Sequence, residues 1–155
     1  MLLVFWRVLI FIAAIGALTS GPGAKAEPSS VGMLACTAVA APSAGKGLGG
    51  WQLSCTFQQE GSTTVQHYAG AITGIDRGSP MAGAKALLVW NVFAATAPRK
   101  RIDLVGVYKA TQDSALPPQA LTGGRDETII LQPVSDSQAN VAPFVQQLQL
   151  ELPRA

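Results

Sequence analysis

The chain has 155 residues, of which 48% are hydrophobic and only 13% charged, with a formal net charge of +2. That length holds one domain with a single core, and the sparse, nearly balanced charge excludes a nucleic-acid-binding protein, which needs clustered positive charge to displace counterions. Removing the first 26 residues takes Arg7 and Lys25 with them and leaves basic and acidic residues equal in number.

Those 26 residues read as a secretory signal peptide. Arg7 is the only early charge, Val8 to Leu18 is an unbroken apolar run, Ser20 to Gly23 break any helix, and "AKA" ends at Ala26. A basic start, an apolar helix-forming run and a small-x-small site are the parts of a cleavable export signal. The apolar run after Arg7 is short against the roughly 20 residues that span a bilayer, so no stable membrane span is expected once the signal is removed. The expected organisation is a signal helix over 1–26 and a single β domain over 27–155, periplasmic or secreted. "MLAC" at Met33 to Cys36 faintly resembles a lipoprotein box, but it lies far beyond the apolar run and has Leu34 where a small residue is needed.

Beyond residue 30 the main signal is a period of two. In "GMLACTAV", Leu34, Cys36 and Ala38 share a face; in "WQLSCTFQ", Trp51, Leu53, Cys55 and Phe57 do, with Gln52, Ser54, Thr56 and Gln58 opposite. Each predicts a half-buried strand, and the Gly-rich "APSAGKGLGG" between them predicts a loop. "TTVQHYAGAIT" (63–73) follows a turn at Glu60 to Ser62 as a third strand. "AKALLVWNVFAAT" (84–96) is apolar on both faces from Leu87 to Ala94, which predicts a central strand covered on both sides. "IDLVGVYKAT" (102–111) and "DETIILQPV" (126–134) are strand-like, with Pro133 ending the latter or placing it at an edge. "QDSALPPQALTGGR" between them reads as irregular. The tail "FVQQLQLEL" alternates at Leu148, Leu150 and Leu152, which favours strand, although Phe144, Leu148 and Leu152 also fit a helix. The fold class expected is all-β, a small antiparallel sandwich or barrel of about seven strands.

The chain has two cysteines, Cys36 and Cys55. If the first two strands form a simple hairpin with these opposite each other, Leu34 faces Phe57 and Ala38 faces Leu53, so register and patterning agree. Opposed residues in an antiparallel pair lie about 4.5–5.5 Å apart at Cα, within reach of a disulfide. An oxidising compartment supplies the redox conditions. A bridge closing a loop of about 20 residues stabilises by roughly 3 kcal/mol. A metal site needs more ligands than the single histidine, His67, supplies, and the Cys-x-x-Cys of a redox dithiol is absent.

With these residues placed, the chain resembles an uncharacterised bacterial family, domain of unknown function 992, whose members are short exported proteins. "GMLAC", "LSCTF", "HYAGAIT", "LLVWNVFA", "LVGVY" and "IILQPVS" carry the resemblance in that order, over most of Gly32 to Leu152. The sequence departs from the family pattern between Thr111 and Arg125. The resemblance implies an exported location and a shared domain, and no activity, substrate or cofactor.

No catalytic constellation is evident. His67 shares a face with Val65 and Ala69 and has no nucleophile or carboxylate in view. Asp126 and Glu127 point to opposite faces of a strand, and Ser54 and Ser79 lack a nucleophile-elbow context. A non-enzyme without cofactor or metal is therefore expected. Arg99, Lys100 and Arg101 form the one charge cluster, a solvated turn or a contact for an anionic surface. Two readings of function follow. One is a non-catalytic exported periplasmic or cell-envelope domain with a structural or protein-interaction role, packed against another envelope protein. The other is a β-barrel holding a lipid or another apolar small molecule inside. A filled or hollow interior separates them.

Overall fold

The structure, a computed structural model, describes residues 27–41, 50–73, 85–95, 101–112, 116, 119–134 and 145–154. Eight strands lie among them: β1 (Ser29–Ala40), β2 (Trp51–Gln59), β3 (Val65–Thr73), β4 (Lys85–Ala94), β5 (Gly106–Ala110), β6 (Leu121–Gly123), β7 (Ile129–Pro133) and β8 (Gln147–Glu151). They close into an antiparallel barrel in the order β1-β2-β3-β8-β5-β6-β7-β4, with β4 returning to pair with β1. The fold is all-β, as expected, and of the two architectures it is the barrel. The signal-peptide residues and the Gly-rich loop after β1 lie outside the described residues.

The first hairpin has the expected register: Cys36 pairs with Cys55, Leu34 with Phe57 and Ala38 with Leu53. The two cysteines form a disulfide, with Cα atoms 4.0 Å apart, somewhat closer than the 4.5–5.5 Å anticipated for an ordinary pair. β1 pairs along most of its length with β2 on one side and β4 on the other. Its pairing with β4 slips between Ser30 and Gly32, a bulge that bends the strand. Gly32 sits there at φ +155°, and a Cβ would lie 2.3 Å from the Gln58 carbonyl oxygen, so the position admits only glycine.

Alternation explains the core. β2 is buried at every second residue from Trp51 to Phe57, and β1, β4 and β8 turn Leu34, Cys36, Leu88, Trp90, Val92, Leu148 and Leu150 inward in the same way. The tail is the strand β8, wedged between β3 and β5.

Three details differ from the sequence reading. The strand count is eight rather than about seven, because Leu121–Gly123, inside the stretch read as irregular, forms β6 and bridges β5 to β7. The fifth strand begins at Gly106, not Ile102. Residues 101–105 form a strap outside the ladder, beside the part of β3 that β8 does not reach. The Ile102 N–H donates to Gln59 Oε1 (3.0 Å), the Leu104 N–H donates to the Tyr68 hydroxyl (3.2 Å), and the Tyr108 hydroxyl donates to the Leu104 carbonyl (2.8 Å). Ile102 and Leu104 are buried; their alternation imitates a strand while side chains supply the hydrogen bonds. Finally, β4 is not covered on both faces. Leu87 is 58% exposed, and Val89, Asn91 and Phe93 are half-buried on the outer side. Pro133 does end β7, but a closed barrel gives it no edge to occupy.

Candidate functional site

The barrel offers three places for chemistry or recognition: its interior, a groove on one outer wall, and the surface of the opposite wall. Large apolar side chains occupy the interior. Phe57, Trp90, Tyr108, Leu34, Leu88 and Leu131 are among the residues with under 2% exposure, and they come from five different strands. An eight-stranded barrel is just wide enough for side chains to fill it. Among the described residues the buried polar side chain is Gln66, which accepts a hydrogen bond from the Tyr68 hydroxyl at 3.0 Å. That hydroxyl also accepts from Leu104, so the Tyr68–Gln66–strap network is satisfied within the protein. Burial raises the Tyr68 pKa, partly offset by the Leu104 hydrogen bond, and raises that of Tyr108 well above the usual tyrosine range. Both hydroxyls are thus held as neutral hydrogen-bonding groups rather than as acids. The indole Nε1 atoms of Trp51 and Trp90 are buried without a partner.

The groove lies outside the wall. It measures about 490 Å³, is floored by Ala69, Gly70 and Ala71 of β3, and is flanked by Gln52 of β2 and Gln149 and Glu151 of β8. It forms because small residues on the middle strand stand between longer ones: Ala71 lies opposite both Gln52 and Gln149 in the cross-strand register. Gln149 Nε2 donates to Glu151 Oε1 at 2.6 Å along one flank. This wall is largely polar, with Gln52, Ser54, Thr56 and Gln58 exposed on β2 and His67 exposed on β3; Val65 at the start of β3 and Leu152 beside the groove are its exposed apolar side chains.

The opposite wall, on β1, β4 and β7, is more apolar, although exposed Thr37 and half-buried Asn91 and Gln132 interrupt it. Leu87 is 58%, Met33 48% and Val39 36% exposed. Around them Ala35, Val89, Phe93 and Ile130 are half-buried on the same outer side. The register makes them contiguous: Ala35 pairs with Val89, Thr37 with Leu87, and Phe93 with both Ser30 and Ile130. Single exposed apolar residues need no explanation, but a joined set does. The signal for this face in the sequence is the parity of β4, where apolar residues occupy most outward positions too.

Of the residues singled out from the sequence, Cys36 and Cys55 are joined in the core and do no chemistry at the surface. Arg101 is exposed at the start of the strap, while Arg99 and Lys100 lie outside the described residues. His67 points outward. Among the described residues no three His, Cys, Asp or Glu side chains gather to hold a metal ion, and no helix is long and apolar enough to cross a membrane. The polarity of the barrel is also opposite to that of membrane-spanning barrels, which place apolar side chains outward all round and polar ones inside; here the inside is apolar and β2 is polar outside.

Fold and surface together define a closed, eight-stranded, disulfide-stapled barrel with an apolar interior. The family described as protein of unknown function (DUF992) matches residues 16–151, and the chain belongs to it. No curated protein and no solved structure matches the chain.

Proposed function

We propose that the protein is an exported, non-catalytic barrel of the periplasm or cell envelope, spanning 27–155 after cleavage at Ala26, that acts by protein–protein contact through the outer face of β1, β4 and β7. The observation that carries this reading is where the apolar surface lies. Large side chains occupy the interior, while Leu87, Met33 and Val39 stand exposed on one outer face, linked through the half-buried Ala35–Val89 row. An apolar centre bordered by polar residues is the anatomy of an interface, and Gln52, Ser54, Thr56 and Gln58 of β2 provide that border on one side. The Val8–Leu18 run and the disulfide support export, because such bonds persist in oxidising compartments.

The test is site-specific photo-crosslinking in the native host, with the probe at Leu87 or His67, both exposed and on different walls. Crosslinks to protein from position 87 and none from position 67, on a chain beginning at Glu27, are expected. Equal labelling from both walls, or retention of Met1 to Ala26 in the exported protein, overturns the proposal. The second reading, a lipid or other apolar ligand inside, draws on the unpartnered Trp90 Nε1. It requires that core side chains such as Leu104 move aside. Stoichiometric lipid in native mass spectra of protein purified from its own compartment would favour it.

A further inference from the structure

We infer that the groove on the β2–β3–β8 wall is a binding site for a short zwitterionic peptide with free termini, laid along β3. The inference goes beyond the interaction reading above: it concerns the other wall and does not depend on it.

The groove follows from the register. Across β2, β3 and β8 its outward rows are Ser54–Ala69–Glu151 and Gln52–Ala71–Gln149. Ala69 and Ala71 keep the floor low, and the chain beyond β8 adds Leu152 and Arg154 to the lining. Its volume of about 490 Å³ lies within the range of small-ligand sites. The lining holds no aromatic ring, so a flat ring ligand has nothing to stack on. Gln52 and Gln149 stand on either side of Ala71, and each amide can both donate and accept. An extended peptide has the same two-sidedness, with N–H and C=O groups along its edges. Laid along β3, it meets an amide on each side. Gln149 Nε2 is committed to Glu151 Oε1 at 2.6 Å, which leaves Gln149 Oε1 to accept an N–H and Gln52 to donate to a C=O.

Charge names the termini. The groove is lined by one carboxylate, Glu151, and one guanidinium, Arg154, both exposed. Among the described residues the ion pair is Arg125 with Asp103, so the two charges of the groove do not neutralise each other. Gln149 engages one oxygen of Glu151 and leaves the second open. A ligand that carries both an ammonium and a carboxylate complements this arrangement, whereas a ligand of one sign meets a like charge. Glu151 and Arg154 are three residues apart, a reach of at most roughly 10 Å, which a peptide of about two or three extended residues spans. The alanine floor favours small side chains on that peptide. Exposed charges add orientation more than affinity, so weak binding that falls with added salt is expected.

The test is calorimetric titration of the oxidised protein with trialanine, its N-acetylated form and its C-terminal amide, and with N-acetylglucosamine as a neutral sugar. Trialanine is expected to bind at a single site, and blocking either terminus to raise the dissociation constant at least about threefold. Glu151→Gln should remove the effect of N-acetylation and keep that of amidation. Arg154→Gln should do the reverse, a crossover that loss of folding cannot produce. Ala71→Leu, which raises the floor, should abolish binding. No saturable binding of trialanine, equal binding of its free and blocked forms, or binding of the sugar in its place overturns the inference. The crosslinking probe at Leu87 reads the other wall, so each of these results leaves the interaction reading where it stands.

Discussion

The β2–β3–β8 wall and the β1–β4–β7 wall enclose the same core, yet the first meets solvent mainly with polar side chains and the second mainly with apolar ones. On β2 the outward set is Gln52, Ser54, Thr56 and Gln58; on β4 it includes Leu87, Val89 and Phe93. On β3 the outward Ala69 and Ala71 sink a groove between longer polar neighbours. Both walls obey the same inward alternation, so folding does not require them to differ. A difference that folding does not need points to use. The disulfide sits at their border, joining β1 of the apolar wall to β2 of the polar one.

The first way to break the comparison is from within. If the walls differ only outside, truncating a core side chain beneath either should destabilise severely. Trp90→Ala under the apolar wall is expected to cost about 3–5 kcal/mol, and Ile72→Ala under the polar wall about 2–5 kcal/mol, measured by urea unfolding of the oxidised protein. Both side chains are fully buried. A value below about 1 kcal/mol for either would mean that this part of the interior is loosely packed, and would return the internal-ligand reading to the front.

Next in size is the staple between the walls. Replacing both Cys36 and Cys55 by Ala should lower stability by roughly 3 kcal/mol, the expectation for a closed loop of about 20 residues, with the β1–β2 register intact. Unfolding of the oxidised protein with and without reductant gives an independent measure. An oxidised, denatured sample that titrates two free thiols would contradict the bridge outright.

The third prediction concerns pH. The chain has two tyrosines, Tyr68 and Tyr108, and burial raises the pKa of each. The unfolded chain loses these protons near pH 10, about the ordinary tyrosine value, while the folded chain keeps them. The unfolded state therefore binds fewer protons above that pH, and stability falls as pH rises. The contribution is fully present below about pH 10 and is lost as the pH climbs through the raised folded values. The tyrosinate absorbance should lag behind that of a model phenol and then rise together with loss of strand signal. Tyr68→Phe should shallow the alkaline decline; an unchanged slope would dissociate it from the strap network.

These expectations show how much of the molecule was legible in its residues. The first hairpin was, down to register, because strict alternation and two cysteines constrain it jointly. β6 was not: Leu121–Gly123 is too short to display a period, and what places it is the backbone. A Cβ on Gly123 would lie 2.0 Å from the Val107 carbonyl oxygen, so the close crossing of β5 needs glycine. The strap is not legible by period because Ile102 and Leu104 alternate as a strand would, whereas hydrogen-bond partners are invisible to periodicity. Barrel closure through β1 and β4 joins strands far apart in sequence, and nothing local encodes it. The apolar wall was visible only as a missing alternation in β4, which the pattern alone reads equally as burial or as an exposed apolar face.

The smallest expected effect separates those two meanings, and it compares neighbours on one strand. Leu87 is 58% exposed and Leu88 is 0% exposed. If the outer face of β4 serves recognition and not stability, Leu87→Gln should change the unfolding free energy of the monomer by less than about 0.5 kcal/mol, the usual range for a surface substitution. Leu88→Gln buries an amide without a partner and forfeits apolar packing, and should cost several times more. Leu87→Gln should also reduce binding of a hydrophobic dye to the native protein, since it removes the most exposed apolar side chain of β4. A large stability loss from Leu87→Gln would instead mean that other parts of the chain rest on this face. The apolar wall would then be a second core and not a docking surface, and the contrast between the two walls would be one of packing.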